Sequence, residues 1–430
     1  MSFCVEIIYK LWYNLKKLSF SGGAGMNIFL VGNGFDLHHI FPTRYFDFLH
    51  TMGFLIQNKD ETYTTIGKIF GNADLQQKNS FIQECYEQHQ HIYNSTALDN
   101  DKIQKLISTA NDNMWFKYLQ NCVSKDIGWI DFEKEVLRVL NAFEEFFKSD
   151  DEKLALVQGK ITFDGNAFPP NAEDRYILSQ FGFFFEESDE SWVGCSRAMH
   201  IKEEYSVEKI VGSETYYVKT EEVVTKLYTS LRELANILRD YLLIFVDGPS
   251  KEYEKFGFRP RFSGLPTPNR VYSFNYTNTC EILYNNNTVD HIHGNTNTNI
   301  VLGINPDEKD EFGSIDTTFL QFKKYFQRVF YNTDIEFLRS IDFSRMTPRS
   351  NDNNLTVIGH SLDSTDEDII RQIFHFAKTI KILYHSETSV KNQIENLIKI
   401  YGKDGFDSLR QEKQLYFFKQ GEIRWEVENN

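Results

Sequence analysis

Three short segments carry residue types that could handle a nucleotide. The first is Gly32-Asn33-Gly34-Phe35-Asp36, at the end of an apolar run. Glycines where a strand turns into a helix let the backbone approach a pyrophosphate, and the helix start offers N–H donors. The third glycine of a G-x-G-x-x-G pattern is absent, since Leu37 stands there. A tight turn capped by Asp36 accounts for the same residues. A carboxylate aimed at a phosphate repels it, so with a dinucleotide bound Asp36 should face a sugar hydroxyl, a cationic ring or the backbone.

The second segment pairs Ser273-Phe274-Asn275-Tyr276-Thr277-Asn278 with His291-Ile292-His293-Gly294. An asparagine and a histidine meeting at the carboxyl ends of parallel strands could orient a water or a ribose hydroxyl at an anomeric carbon. The plainer account makes Asn275 a helix cap and His291 and His293 ordinary turn histidines. If both histidines sit on one strand, alternation puts them on the same face, where one could orient the other. The third segment is Gly359-His360-Ser361-Leu362-Asp363-Ser364, in which Ser361 and the Gly359 backbone could bond an adenosine ribose. A plain strand–turn–helix, with Ser364 and Glu367 at capping-box spacing, explains it equally. Asp131 and Glu133, two residues apart, fall on different faces of a helix and read as its first turn rather than a catalytic pair.

The elements that must position these residues follow from hydrophobic spacing. Asn27 to Val31 has strand length, and a helix should start near Asp36. Val271–Phe274, Val289–Ile292, Ile300–Leu302, Leu355–Ile358 and Ile380–Tyr384 are short apolar or β-branched runs, several followed by helical segments. That is the rhythm of a parallel α/β sheet. Residues 54 to 150 read as helical, most clearly where Phe132, Val136, Leu140, Phe143 and Phe147 recur. A second helix spans about 220 to 246, with Val224, Leu227, Leu231, Leu234, Leu238 and Leu242 along one face. Segment 151–218 reads as irregular, and the proline- and glycine-rich 247–269 as a linker or long loop. The expected architecture joins 26–50 and 270–430 into one α/β core, with 51–269 as a mainly helical insertion.

A chain of 430 residues, 41% hydrophobic and 25% charged, can bury a large core. Its net charge of -15 argues against a broad nucleic-acid surface, which needs cations to displace counterions. The five cysteines, Cys4, Cys85, Cys122, Cys195 and Cys280, show no metal-binding or disulfide spacing, so no metal is expected and a cytoplasmic setting fits best. No apolar run reaches the ~20 residues that span a bilayer. Gly22-Gly23-Ala24-Gly25 before Met26 reads as a translated ribosome-binding site, which would make residues 1–25 an extension ahead of the true start.

Taken in series, the segments resemble one family. GNGFDLHHIFPTRYFDFL at 32–49 resembles the N-terminal signature of AbiH-type bacteriophage abortive-infection proteins. WIDFE, SFNYTN, HIHGN and GHSLDSTDEDI resemble its later blocks, in the same order. That family is similar to sirtuin-like NAD-binding domains, which implies a Rossmann-type parallel sheet. The resemblance carries Gly32, Gly34 and Pro42 onto matching sirtuin positions, with Asp36, Arg44 and Tyr45 as replacements at others. It implies phosphate binding by the turn Gly32-Asn33-Gly34 and nicotinamide-ribose contacts by Asn275 and His293. It adds Ser273, Thr277 and Gly303 from the neighbouring blocks, adenosine contacts by Gly359 and Ser361, and His360 of the same block as a further cofactor-binding residue. The zinc cysteines of sirtuin deacetylases have no counterpart, so the expected activity is cleavage of NAD, with Asn275 and His293 catalytic. A sensor that binds NAD or ADP-ribose without turnover and signals through the insertion is the alternative, and a nuclease a more distant one. The partners implied are NAD, a phage-derived trigger and, for some assemblies, further copies of the chain.

Overall fold

The computed structural model describes residues 26–123, 131–149, 154–157, 160–163, 172–187, 198–208, 215–255, 258–262, 265–284, 288–304, 317–340, 353–412, 414–420 and 423–427. The extension 1–25 and the start of the WIDFE block lie outside the described residues. Among the described residues no helix is long and apolar enough to cross a membrane.

One six-stranded parallel sheet organises the site. Its strands in chain order are β1 (Asn27–Val31), β2 (Arg270–Ser273), β3 (Val289–His291), β4 (Asn354–Ile358), β5 (Thr379–Tyr384) and β6 (Gln414–Lys419). They lie side by side as β3-β2-β1-β4-β5-β6, every pairing parallel. The apolar run of β1 follows from its central place, because both faces of a covered parallel strand are buried. Ile28 and Leu30 pack with Leu355, Val357, Ile380 and Ile382 on one side. Phe29 and Val31 pack with Phe35, Val271 and Ile358 on the other. The chain order reverses between β1 and β4, and open α/β sheets bind ligands in the crevice outside the carboxyl ends at such a switch point.

The insertion is largely helical and closes over that rim. Its longest helix, Thr220–Leu242, buries Val224, Leu227, Leu231, Leu234, Leu238 and Leu242, the face that their spacing predicts. The Trp115 indole N–H donates to the Leu227 carbonyl at 2.9 Å, tying this helix to Met114–Val123. The helix Tyr45–Gln57 crosses residue 50, so the chain leaves the sheet layer at Arg44.

Several expectations need correction. Segment 151–218, read as irregular, holds a second six-stranded sheet, all antiparallel, and the helix Ala172–Gln180. Its strands have only three or four residues each, too few to display a clear alternation. Segment 247–269 is not a plain linker: it contains the helix Gly248–Lys255 and the strand Phe258–Phe262, which pairs with Ile423–Val427. Ile300 to Leu302 form no strand; they are buried beside the sheet, with the Val301 N–H donating to the His293 carbonyl at 2.8 Å. The edge strand β6 went unread, because half of it faces solvent through Tyr416 and Phe418.

Where β1 and β4 end, their loops cross at backbone contact. The Gly32 amide donates to the Ile358 carbonyl at 3.1 Å, and the Gly34 amide to the Gly359 carbonyl at 2.7 Å. Gly359 has φ +64°, and a Cβ there would sit 2.1 Å from the Phe35 nitrogen. We predict that Gly359→Ala costs about 1–3 kcal/mol from the backbone conformation alone and more from the clash. Gly402, at φ +70° but in open space, provides the control. Urea unfolding should show Gly359→Ala well below Gly402→Ala, and equal midpoints would contradict the crossing.

Candidate functional site

A cleft of about 290 Å³ opens at the switch point, bounded by the ends of β1, β2 and β4 and by the insertion. The turn after β1 contributes Gly32, Asn33, Gly34 and Asp36; the loop after β2 contributes Phe274, Asn275, Tyr276 and Thr277. His293 enters from beyond β3, and Gly359, His360 and Ser361 from the turn after β4. Tyr45, Leu238 and Leu242 form the wall on the insertion side. The expected site residues therefore meet along one rim, with four exceptions. Pro42 gives its carbonyl to the Tyr241 hydroxyl at 3.0 Å. Arg44 is paired with Asp47 at 2.7 Å and lies over the Phe81 ring. The Ser273 hydroxyl accepts from the Asn275 amide at 3.2 Å. Gly303 packs against the Phe322 carbonyl, too close for a Cβ.

Asp36 belongs to the six-residue helix Asn33–His38 but does not cap it. Its side chain turns inward and is 1% exposed. The Thr277 hydroxyl donates to Oδ2 at 2.6 Å, while Oδ1 makes no hydrogen bond to any described residue. Burial pushes this carboxyl up to about 7, against the opposing effect of Thr277.

The two histidines separate. β3 ends at His291, so strand alternation does not reach residue 293. His291 Nδ1 bonds the Asn275 carbonyl at 2.9 Å and Nε2 meets Glu281 at 2.6 Å. Burial works against its protonation, but Glu281 outweighs that and raises the imidazole above its ordinary range. His291 thus orients the Asn275 backbone rather than His293. The Asn275 carboxamide makes no hydrogen bond to any described residue and faces the cleft. His293 turns Nε2 toward Asp366 Oδ1 at 3.3 Å and packs edge-on against Phe274. Burial pushes it down to about 4, only partly opposed by Asp366, so near neutrality it is an uncharged imidazole. His360 is similarly held down to about 4 by burial; its Nδ1 accepts from the Leu362 amide at 2.9 Å and its Nε2 lies 3.8 Å from Asp366.

Asp366 ends the turn Ser364–Asp366, which is capped by Asp363 rather than Ser364: Asp363 Oδ1 accepts from the Thr365 amide at 3.0 Å. Lys324 faces Asp366 at 3.1 Å and Glu133 at 2.6 Å. Burial alone would lower the lysine, but Asp366 and Glu133 hold it well above its usual value. Burial would likewise raise Asp366, yet Lys324 and His293 keep it well below the carboxylate range. Glu133 is raised by burial, against Lys324. Sequence reasoning missed this charged cluster. Glu133 does stand in the first turn of the helix Phe132–Ser149, as its position predicts, but spacing does not show its partner, and Lys324 and Asp366 carry no motif of their own.

Chemically the rim offers a carboxyl poised near neutrality, a carboxamide with no partner among the described residues, an uncharged imidazole beside a carboxylate, and an ion cluster of Glu133, Lys324 and Asp366 that lines the same cleft. Among the described residues no group of three or more histidine, cysteine or acidic side chains is arranged to hold a metal ion.

The raised Asp36 has a measurable consequence. Between about pH 4 and 7 the folded state keeps a proton that the unfolded chain has lost, so stability falls as pH rises through that window. Asp36→Asn removes this slope. It should stabilise the protein by on the order of 2 kcal/mol at pH 8 and by clearly less at pH 5, measured by urea unfolding. An equal difference at both pH values would contradict the buried position of the acid.

No curated protein matches this chain, and neither does any solved structure. The family model described as bacteriophage abortive infection AbiH matches residues 28–385, from β1 past the end of β5 and through every loop of the cleft, and the chain belongs to that family.

Proposed function

We propose that this abortive-infection protein binds NAD in the rim cleft and hydrolyses its nicotinamide–ribose bond. The observation that carries the reading is the meeting of Asn275 and His293 in one cleft with the turns at Gly32–Gly34 and Gly359–Ser361. The strand order β3-β2-β1-β4-β5-β6 supports a Rossmann-type, sirtuin-like core, in which a dinucleotide lies across the switch point. Among the described residues none bonds the Asn275 carboxamide, which supports a role toward ligand.

In the reaction a water oxygen forms a bond to the anomeric carbon as the carbon–nitrogen bond breaks. The electron pair passes to the cationic ring, which leaves as neutral nicotinamide, and the sugar develops oxocarbenium character. Asn275 orients the water or the 2′-hydroxyl. His293 accepts the departing proton, and Asp366, whose Oδ1 lies 3.3 Å from His293 Nε2, stabilises the imidazolium that forms.

A second reading has its own support. An imidazole held down to about 4 is a weak proton acceptor at neutral pH. That favours a sensor that holds NAD or ADP-ribose without turnover and signals through the insertion, whose Leu238 and Leu242 line the same cleft.

Incubation with NAD followed by chromatography separates the two. Hydrolysis predicts nicotinamide and ADP-ribose, with His293→Ala and Asn275→Ala each lowering the rate about 10²–10⁴-fold while the fold is retained. A thermal shift with NAD but no nicotinamide released under any trigger would establish the sensor instead.

A further inference from the structure

The most buried acid lining the cleft has no part in the hydrolysis just described. Asp36 is held on one oxygen by Thr277, while its Oδ1 makes no hydrogen bond of normal geometry to any described residue, the Thr279 hydroxyl being its neighbour. A buried acceptor without a donor is costly, and such groups are retained where a ligand supplies the missing donor.

Two of the three residues expected to hold a diphosphate have their amides engaged within the protein: Gly32 donates to Ile358 and Gly34 to Gly359. Lys324, a cation that lines the same cleft, is enclosed by Glu133 and Asp366. The glycines are required by the loop crossing itself, since a Cβ at Gly32 or Gly34 would lie 2.7 Å from the backbone of His360 or Gly359. The volume of about 290 Å³ stands at the lower edge of the ~300–1,000 Å³ usual for small-molecule sites. Once ionised, above about pH 7, the Asp36 carboxylate repels phosphate and accepts from a hydroxyl.

We propose that the cleft recognises its ligand by the nicotinamide nucleoside end, with Asp36 Oδ1 accepting a ribose hydroxyl and the diphosphate lying outside the glycine turn. This rests on the NAD reading above and assigns it a direction: the sugar and the cationic ring enter, and the phosphates stay at the mouth.

Calorimetric titration of the full chain with NAD, nicotinamide riboside and ADP tests it. Nicotinamide riboside should bind within about tenfold of NAD, and ADP at least about tenfold more weakly than NAD, as expected where one hydrogen bond to a charged group decides the difference. Asp36→Asn should weaken NAD and nicotinamide riboside by about the same factor, tenfold or more, and leave ADP unchanged. Its urea midpoint, measured alongside, reports the fold. Binding of NAD without nicotinamide riboside would overturn the proposal and leave the NAD reading standing, as would ADP binding as tightly as NAD. Binding of nicotinamide riboside without NAD would uphold it and overturn the dinucleotide reading. Binding of neither would overturn both, and a folded Asp36→Asn that binds nicotinamide riboside normally would overturn the role of Asp36.

Discussion

The site depends on two loops crossing with no room for a side chain between them. At the switch point the turn after β1 and the turn after β4 meet backbone to backbone, with the Gly34 amide on the Gly359 carbonyl at 2.7 Å. That contact fixes the direction in which the helix Asn33–His38 leaves β1, and with it the inward course of the Asp36 side chain. It also brings His360 and Ser361 to the same rim as Asn275 and His293. The glycines answer first to this packing, so a glycine-rich turn after a strand is here a statement about close approach before it is one about phosphate.

Around that crossing the protein concentrates buried polar groups. Lys324, Asp366 and Glu133 form a cluster in which each charge is held by its neighbours. Removing one member of such a buried set typically costs about 3–5 kcal/mol, whereas an apolar replacement of the whole set is often neutral. A cluster of this kind is therefore poorly explained by stability alone. Two effects on the rim are direct: Asp366 gives His293 a carboxylate on one nitrogen, and the same acid faces His360. Asp36 is the opposite case, an acid whose own neighbourhood makes its ionisation unfavourable. A chain that keeps both a closed ion cluster and a strained acid at one rim places its electrostatic stress where a ligand would sit.

Much of this could be read from the sequence. The strands β1, β4 and β5 and the apolar face of Thr220–Leu242 follow from spacing, because each is buried in the way its pattern requires. The blocks at 32–49, 273–278, 291–295 and 359–369 announced a shared rim because each stands at the end of a predicted strand. What spacing could not disclose is which partners the side chains take. Asp36 looked like a cap and is held by Thr277, 241 residues away along the chain. His291 looked like a partner of His293 and instead bonds Asn275 and Glu281. Lys324 follows a stretch with no periodic signal and joins Glu133 from another part of the chain. The second sheet escaped because its strands are too short to show a period, and β6 because an edge strand with exposed aromatics lacks a buried face.

We propose that this rim receives the nicotinamide end of NAD beside Asn275 and His293. The decisive measurement is a crystal structure of the full chain grown with NAD. Nicotinamide ribose should lie between the Asn275 carboxamide, His293 and Asp36, with the phosphates directed away from Asp36. NAD bound elsewhere, or seated with its adenosine end against Asp36 and its nicotinamide in solvent, would contradict it.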